Sequence, residues 1–353
     1  MRILVTGAGG LIGRELTATL AERGHGVLAL GRRSMPLAGN DGRAILSAPW
    51  SGTPPAPGQV LVASGDVCAA GLGLDPAALR GLDLIIHGAA VTGFNLDAEV
   101  YDRVNTGGTA NVLATAGPVP ILHISTAYVC GRRSGLVGEG PVDAYDGFSN
   151  DYERSKAAAE ALVAAAQARG QRIAVARPSI VVGAHGDGAI AVFGSVYGLI
   201  RLVAEGRIGV LPATPGASLD LVPIDHVVAG LVDIAERMEA AAGKVFHLVS
   251  GVPIPVTALS DLAGAYPQLC APRFVRPDQF DPASLPANEK LLHGRVSALL
   301  AEYLQRDPRF ADGNLRALSG RSCPPTSHAF LCRLVDFCLQ AGYMRSRRVA
   351  PAA

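Results

Sequence analysis

The sequence predicts a doubly wound α/β fold, a parallel sheet with helices on both faces, carrying a smaller lobe drawn mostly from the C-terminal part of the chain. Three observations predict it. Short, near-continuous apolar runs alternate with helical patterns as far as Arg177, as strands buried on both faces do. A glycine-rich turn joins the first run to the first helix. Beyond Arg177 the pattern breaks into a stretch rich in Pro and Gly. Composition agrees: of 353 residues, 49 % are hydrophobic, only 17 % are charged and 42 are Gly. Such a chain can bury a large core and pack it tightly.

In chain order, strands are expected at Ile3–Thr6, Gly26–Leu30, Gln59–Ala63, Leu82–His87, Pro120–Ser125 and Arg172–Ala176. Helices are expected near Leu11–Arg23, Ala98–Ala116 and Asp151–Arg169. Residues 32–58 are rich in Pro, Gly and Ser and read as a surface loop. A helix over Val227–Ala242, capped by Asp225, leads to a further strand at Val245–Val249. Leu331, Leu334, Val335, Cys338 and Leu339 fall at i, i+3, i+4, i+7 and i+8, one face of an amphipathic helix. The expected division is 1–182 with 226–251 for the sheet domain, 183–225 with 252–345 for the lobe, and 346–353 as a tail.

The first strand runs into Thr6-Gly7-Ala8-Gly9-Gly10-Leu11-Ile12-Gly13. Glycines at 7, 10 and 13 permit a tight turn, close backbone approach to a pyrophosphate, and close helix–strand packing. Helix amides from Leu11 and Ile12 onward point their partial positive charge at the phosphates. A glycine triplet alone is common. Placed between a strand and a helix it indicates a Rossmann-type dinucleotide site. The second strand ends in Arg32-Arg33 rather than an acidic residue. Two guanidinium groups there suit the 2′-phosphate of NADP better than the bare ribose of NAD.

Tyr152 and Lys156 lie four apart on an expected helix, hence on one face. A phenol of pKa about 10 is a poor base at neutral pH, and a neighbouring ammonium favours its ionised form. The pair can then exchange a proton with a carbonyl or hydroxyl oxygen. Thr126, at the C-terminal end of the fifth strand, can offer a hydroxyl to the same oxygen. Lysine is scarce: Lys156, Lys244 and Lys290 are the only ones, every other basic side chain but histidine being Arg. A retained Lys suggests a need for a compact, titratable ammonium.

Together these motifs resemble the extended short-chain dehydrogenase/reductase family over roughly residues 1–250. Its landmarks occur in order: Thr6–Gly13, Gly65-Asp66-Val67, His87-Gly88-Ala89-Ala90, Val104-Asn105-Thr106-Gly107-Gly108-Thr109, Ile124–Val129, Tyr152–Lys156 and Arg177-Pro178. The resemblance implies that Asp66 and Val67 contact the adenine and that Gly88, Ala89 and Pro178 line the cofactor. It implies a catalytic group of Asn105, Thr126, Tyr152 and Lys156, with Lys156 on the nicotinamide ribose. The family often has Asn where this chain has His87 or Gly88. The stretches HGAAVTGFN (87–95), ISTAYVCG (124–131), RPSIVVG (177–183) and DLVPID (220–225) look like the branch of thioester reductases and fatty acyl reductases, the male-sterility type. That branch implies NADPH-dependent reduction of an acyl thioester to an aldehyde or alcohol. The chain carries no carrier domain of its own, so the thioester would arrive on a separate acyl-carrier protein or as a CoA ester. Members of the wider family are often homodimers.

Two other readings stand beside this one. A nucleotide-sugar epimerase or dehydratase would retain NAD; Arg32 and Arg33 argue against it. A non-enzymatic redox sensor on the same fold would typically lose the Tyr or the Lys. A net charge of +1 gives no reason to expect a nucleic-acid partner. No run is apolar enough for a membrane span or a signal peptide, so a cytoplasmic protein is expected. The six cysteines show no CxxC spacing and read as reduced packing residues, and no metal site is expected. His185, His226 and His247 read as structural or surface residues.

Overall fold

The computed structural model describes residues 1–32, 37–93, 96–142, 147–294 and 302–345. Arg33, together with Phe94, Asn95, Arg347 and Arg348, lies outside the described residues.

Eight parallel strands form the central sheet: β1 (Arg2–Thr6), β2 (Gly26–Gly31), β3 (Ser47–Pro49), β4 (Val60–Ser64), β5 (Leu84–His87), β6 (Ile121–Ile124), β7 (Ile173–Pro178) and β8 (Val245–Leu248). Their order is β8-β7-β6-β5-β1-β2-β4-β3. The chain first builds outward from β1 to one edge, then crosses back and builds from β5 to the other. The strand ends of β1 and β5 therefore flank the switch point, where ligands sit in such sheets. Register sets Thr6 opposite both Leu30 and His87, and His87 opposite His123.

Alternation along the strands divides the core. Ile3, Val5, Val27 and Ala29 face the helices α1 (Leu11–Glu22) and, toward β7 and β8, Ile224–Glu236. Leu4, Leu28, Leu30 and Ile85 face the opposite side, where α2 (98–116) and α3 (Asp151–Ala168) pack. Within α2 the segment Asp102–Gly107 widens to π-type pairing. Such one-turn widenings are frequent at functional sites, and Asn105 sits in this one.

A second apolar cluster fills the lobe, with Leu199, Leu202, Leu211, Leu331, Leu334 and Val335 among its members. Its helices are α4 (Ser195–Ala204), α5 (Ala258–Gly264) and α6 (His328–Gln340). The expected amphipathic face of α6 is there: Leu331, Leu334, Val335 and Cys338 are buried. Short strand pairs stitch the lobe together, Ile180–Val182 with Leu221–Pro223 and Val210–Pro212 with Arg273–Val275. Pro308–Phe310 pairs with Gly135–Val137, next to the sheet's own loops.

Two expectations need correction. Residues 32–58 are more than a surface loop: Ser47–Pro49 pairs with β4 as an edge strand, and Leu37–Ala38 pairs with Ala44–Ile45. Three residues ending in Pro give no period to read, and Pro is tolerated because the edge has a free side. Asp225 does not precede its helix. It lies in the first turn of Ile224–Glu236, where its carboxylate accepts the backbone N–H of both His226 and His185. All six cysteines are free thiols.

Candidate active site

The turn after β1 is built by what glycine lacks. Gly7 has φ +74°, and a Cβ there would stand 2.7 Å from Ala89 N and from the Gly88 carbonyl carbon. A Cβ on Gly13 would meet the Gly7 carbonyl oxygen at 2.1 Å. The turn is therefore pressed against both the β5 end and its own helix. Gly10 N–H donates to Gly7 O at 2.9 Å, and Gly10 caps α1 without a side chain. The first-turn amides of Leu11 and Ile12 are left without an N-cap side chain, the arrangement that receives a phosphate. Open space above Gly9 completes the fit to a dinucleotide pyrophosphate. Arg14, which the sequence reading missed, donates from Nη2 to Gly9 O at 2.9 Å and brings a cation to the turn.

Adjacent strand ends carry the expected adenine side. Val67 is buried against Gly108, and its carbonyl accepts from Asn111 Nδ2 at 2.8 Å. Asp66 closes its own turn, accepting Cys68 N–H at 2.9 Å. Arg32 is exposed at the C-terminal end of β2, near enough to Cys68 to act on its thiol.

Under the switch point lies a chain of hydrogen bonds. Ala89 N–H donates to Thr6 Oγ1 at 3.2 Å; Thr6 Oγ1 and His87 Nδ1 are 2.8 Å apart; His87 Nε2 and Thr109 Oγ1 are 3.1 Å apart; Thr109 donates to Asn105 O at 2.6 Å. One proton arrangement satisfies every link, with Thr6 donating to Nδ1 and His87 donating from Nε2. Burial, then the charge of Lys156, pushes His87 down to about 3, so the ring is neutral and polar rather than cationic. His87 thus ties β1, β5 and α2 together.

Asn105 is fully committed to protein partners. Its Oδ1 accepts Val91 N–H at 2.8 Å, and its Nδ2 donates to Val91 O at 3.1 Å and to Ser155 Oγ at 2.9 Å. Ser155 lies between Tyr152 and Lys156 on α3. Asn105 therefore anchors the loop after β5 to the helix that bears the Tyr–Lys pair. Neither Ser155 nor Thr109 was singled out from sequence, although Thr109 lies one helical turn beyond Asn105.

The structure brings Thr126, Tyr152 and Lys156 to the ends of β6 and β7. The Tyr152 phenol lies toward the Thr126 side chain, which favours its ionised form. Thr126 Oγ1 also lies 3.4 Å from Pro178 O, its donor contact, and accepts Tyr128 N–H at 3.3 Å. Lys156 is 2 % exposed, and its Nζ donates to Ile124 O at 2.8 Å. Burial pushes its pKa down to about 8, against the pull of Glu160. Burial, followed by the Glu153 carboxylate, lifts Tyr152 above the usual phenol range, with the Thr126 side chain opposing. The expectation that Lys156 lowers this phenol is thus corrected: the ammonium serves a backbone carbonyl and does not act on Tyr152, whose shift burial dominates. Tyr152 is therefore a neutral phenol at neutral pH.

A sequence profile for the family described as "Male sterility protein" matches residues 5–231. The chain belongs to that family. Male sterility-type chains of this build carry an NAD(P)-binding fold of the extended short-chain dehydrogenase/reductase kind. A 2-alkyl-3-oxoalkanoate reductase of Stenotrophomonas maltophilia is 28 % identical over 271 residues, 73 % of each chain. A 3β-hydroxysteroid dehydrogenase/Δ5→4-isomerase of Mycobacterium tuberculosis is 28 % identical over 268 residues, 72 % of this chain. The match spans 66 % of that enzyme's length. Among solved structures, the terminal R domain from the myxalamid PKS-NRPS biosynthetic pathway superposes with a TM-score of 0.78 at 22 % identity. That match covers 98 % of this chain and 92 % of the other.

Proposed function

We propose that this protein is an NADP(H)-dependent reductase acting on a carbonyl or acyl thioester with an apolar chain. The observation that carries the reading is the gathering of Thr126, Tyr152 and Lys156 at the end of β6, with Thr126 capping the turn there, the Lys156 ammonium on Ile124 O at 2.8 Å and the Tyr152 phenol toward Thr126. Bound nicotinamide would supply the hydride. Tyr152 and Thr126 would polarise the substrate oxygen, and Tyr152 would give it the proton it needs as the C=O bond becomes C–O–H. With a thioester, collapse of that adduct expels the thiol and leaves an aldehyde. Lys156 would hold the ribose once turned from Ile124 O, and Asn105 would keep its place as an organiser of the loop and helix.

Arg32 at the end of β2 supports NADP over NAD. The family match and the named reductase relative support reduction. Residues 183–225 and 252–345 would form the substrate side. There an apolar cleft lies between α4, α5 and α6, lined by Leu199, Ile200, Val203, Leu262 and Val335, and opens to solvent. Such a lining suits an alkyl tail better than a sugar. The reading goes with a cytoplasmic homodimer, as in its wider family, whose thioester comes on CoA or a carrier protein. No described helix is long and apolar enough to cross a membrane.

NADPH oxidation against aldehydes, ketones and acyl-CoAs of increasing chain length tests it. Turnover is expected with NADPH above NADH and with long chains above short. Tyr152→Phe is expected to lower kcat by about 100- to 10,000-fold, the usual reach of a general acid, with NADPH affinity kept. Near-wild-type turnover in that variant removes the proton-donor role. Protein purified with tightly held, non-exchanging NAD would favour the epimerase instead.

A further inference from the structure

Beside Tyr152 lies a buried polar knot that the chemistry above does not use. Glu153, the next residue on α3, is fully buried, and its Oε1 lies 2.8 Å from Nη2 of Arg306, itself only 4 % exposed at the side chain. Tyr303 donates to the same Oε1 at 2.7 Å. Glu153 Oε2 accepts Ser149 N–H at 3.1 Å. The other arm of Arg306, Nη1, donates to Gly131 O. Its guanidinium plane lies 5.0 Å from the centroid of Tyr128 and 4.5 Å from that of Tyr303.

These contacts join the two elements that carry the reacting hydroxyls. Gly131 ends the single turn Ala127–Cys130, which Thr126 caps. Tyr128 belongs to the same turn. Glu153 belongs to the first turn of α3, which carries Tyr152. Arg306 spans both, and it comes from neither: it lies on the segment just before Pro308–Phe310, which pairs with Gly135–Val137. A buried charge pair is a poor general stabiliser, because desolvation of both ions offsets their attraction. Its particular use here is geometric, since a planar guanidinium fixes two acceptors at once.

We infer that Arg306 is a positioning residue for the Thr126–Tyr152 pair, clamping the turn after β6 to the first turn of α3 through Gly131 and Glu153. The inference rests on the reductase reading for its kinetic consequence but not for its geometry. Displacing a donor by about 1 Å costs roughly 100-fold in rate, so loss of the clamp acts on kcat. Most of the expected cofactor contacts, at the ends of β1, β2, β4 and β5, lie away from the clamp, so NADPH affinity should change less than kcat.

The test is a set of variants assayed with NADPH and decanoyl-CoA or decanal. Arg306→Met is expected to lower kcat by about 10- to 100-fold with the KM for NADPH within about twofold. Arg306→Lys keeps the charge but cannot bridge both acceptors, so it should fold and lose kcat by a smaller factor. Glu153→Gln in Arg306→Met should add little, because the two residues act as a unit. The groups facing this pair are Tyr303, Tyr128 and Cys130, with Asp220 beyond Tyr128 and the Arg132–Glu302 pair at the rim. A readout without turnover uses 13C-labelled tyrosine, with the Tyr152 signal assigned by Tyr152→Phe. That signal should shift or broaden in Arg306→Lys.

Unchanged kcat and an unchanged Tyr152 signal in folded Arg306→Lys and Arg306→Met overturn the clamp. So does an equal loss of kcat and of NADPH affinity, which marks general damage. Wild-type protein that turns over no substrate refutes the reductase reading instead, and the tyrosine signal still decides the clamp.

Discussion

Among single residues, Lys156 has the most testable electrostatics. Burial holds its pKa near 8, against 10.5 for the free side chain. In the cofactor-free protein the ammonium is therefore charged below about pH 8 and neutral above it. Since kcat/KM reports groups of the free enzyme, kcat/KM for reduction should hold steady below that pH and fall as pH rises through it. A profile flat from pH 7 to 10 would take the cation out of the reaction. The same shift acts on stability with a definite sign. Between about pH 8 and 10.5 the unfolded chain binds more protons at this residue than the folded one, so stability rises with pH across that window. The full rise is about 3 kcal/mol, and urea denaturation of Lys156→Met should lack it. The type and spacing of Tyr152 and Lys156 were legible in the sequence because four residues on a helix fix a common face. Their ionisation was not legible. It depends on how completely α3 is covered, and on Ile124 O being within reach of Nζ, which no local pattern reports.

At the scale of elements, α3 carries both Tyr152 and Lys156, and its start is held by two reciprocal bonds. Asn150 Oδ1 accepts Glu153 N–H at 2.9 Å, while Glu153 returns to Ser149 N–H. Removing the cap by Asn150→Ala should cost about 1 kcal/mol in urea denaturation. It should also lower kcat more than NADPH affinity, because the loosened turn is the one bearing Tyr152. Equal effects on both would detach the cap from the site. The sheet strands from β1 to β8 were readable almost to their ends, apart from β3, since strands buried on both faces must be apolar throughout. The lobe strands were not. Pairs such as Val210–Pro212 with Arg273–Val275 are three residues long, and their partners lie far off in sequence. The widened turn Asp102–Gly107 was also hidden, because its helical period continues on both sides. Its product is visible only in space, where Asn105 reaches Val91 and Ser155.

For the whole molecule, the switch point explains why one glycine turn and one helix face, more than a hundred residues apart, come to the same end of the sheet. β1 and β5 are neighbours in the sheet, so the turn after Thr6 touches Gly88 and Ala89, while Asn105 and Lys156 approach the same strand ends from α2 and α3. A cofactor spanning these ends would bridge both core clusters of the sheet and bind only the folded chain. At 100 times its Kd such a ligand stabilises by about 2.7 kcal/mol, which for a chain of this size raises Tm by several degrees. NADPH should therefore raise Tm more than NADH at equal concentration, with Arg32 receiving the extra phosphate. In Arg32→Ala the two cofactors should become equivalent, the NADPH shift dropping to the NADH value while the NADH shift stays put. If the wild-type shifts are equal, Arg32 is a solvated surface charge and the NADP preference is lost, although the glycine turn would still account for binding of the shared pyrophosphate. If neither cofactor moves Tm, the turn does not receive a dinucleotide at all.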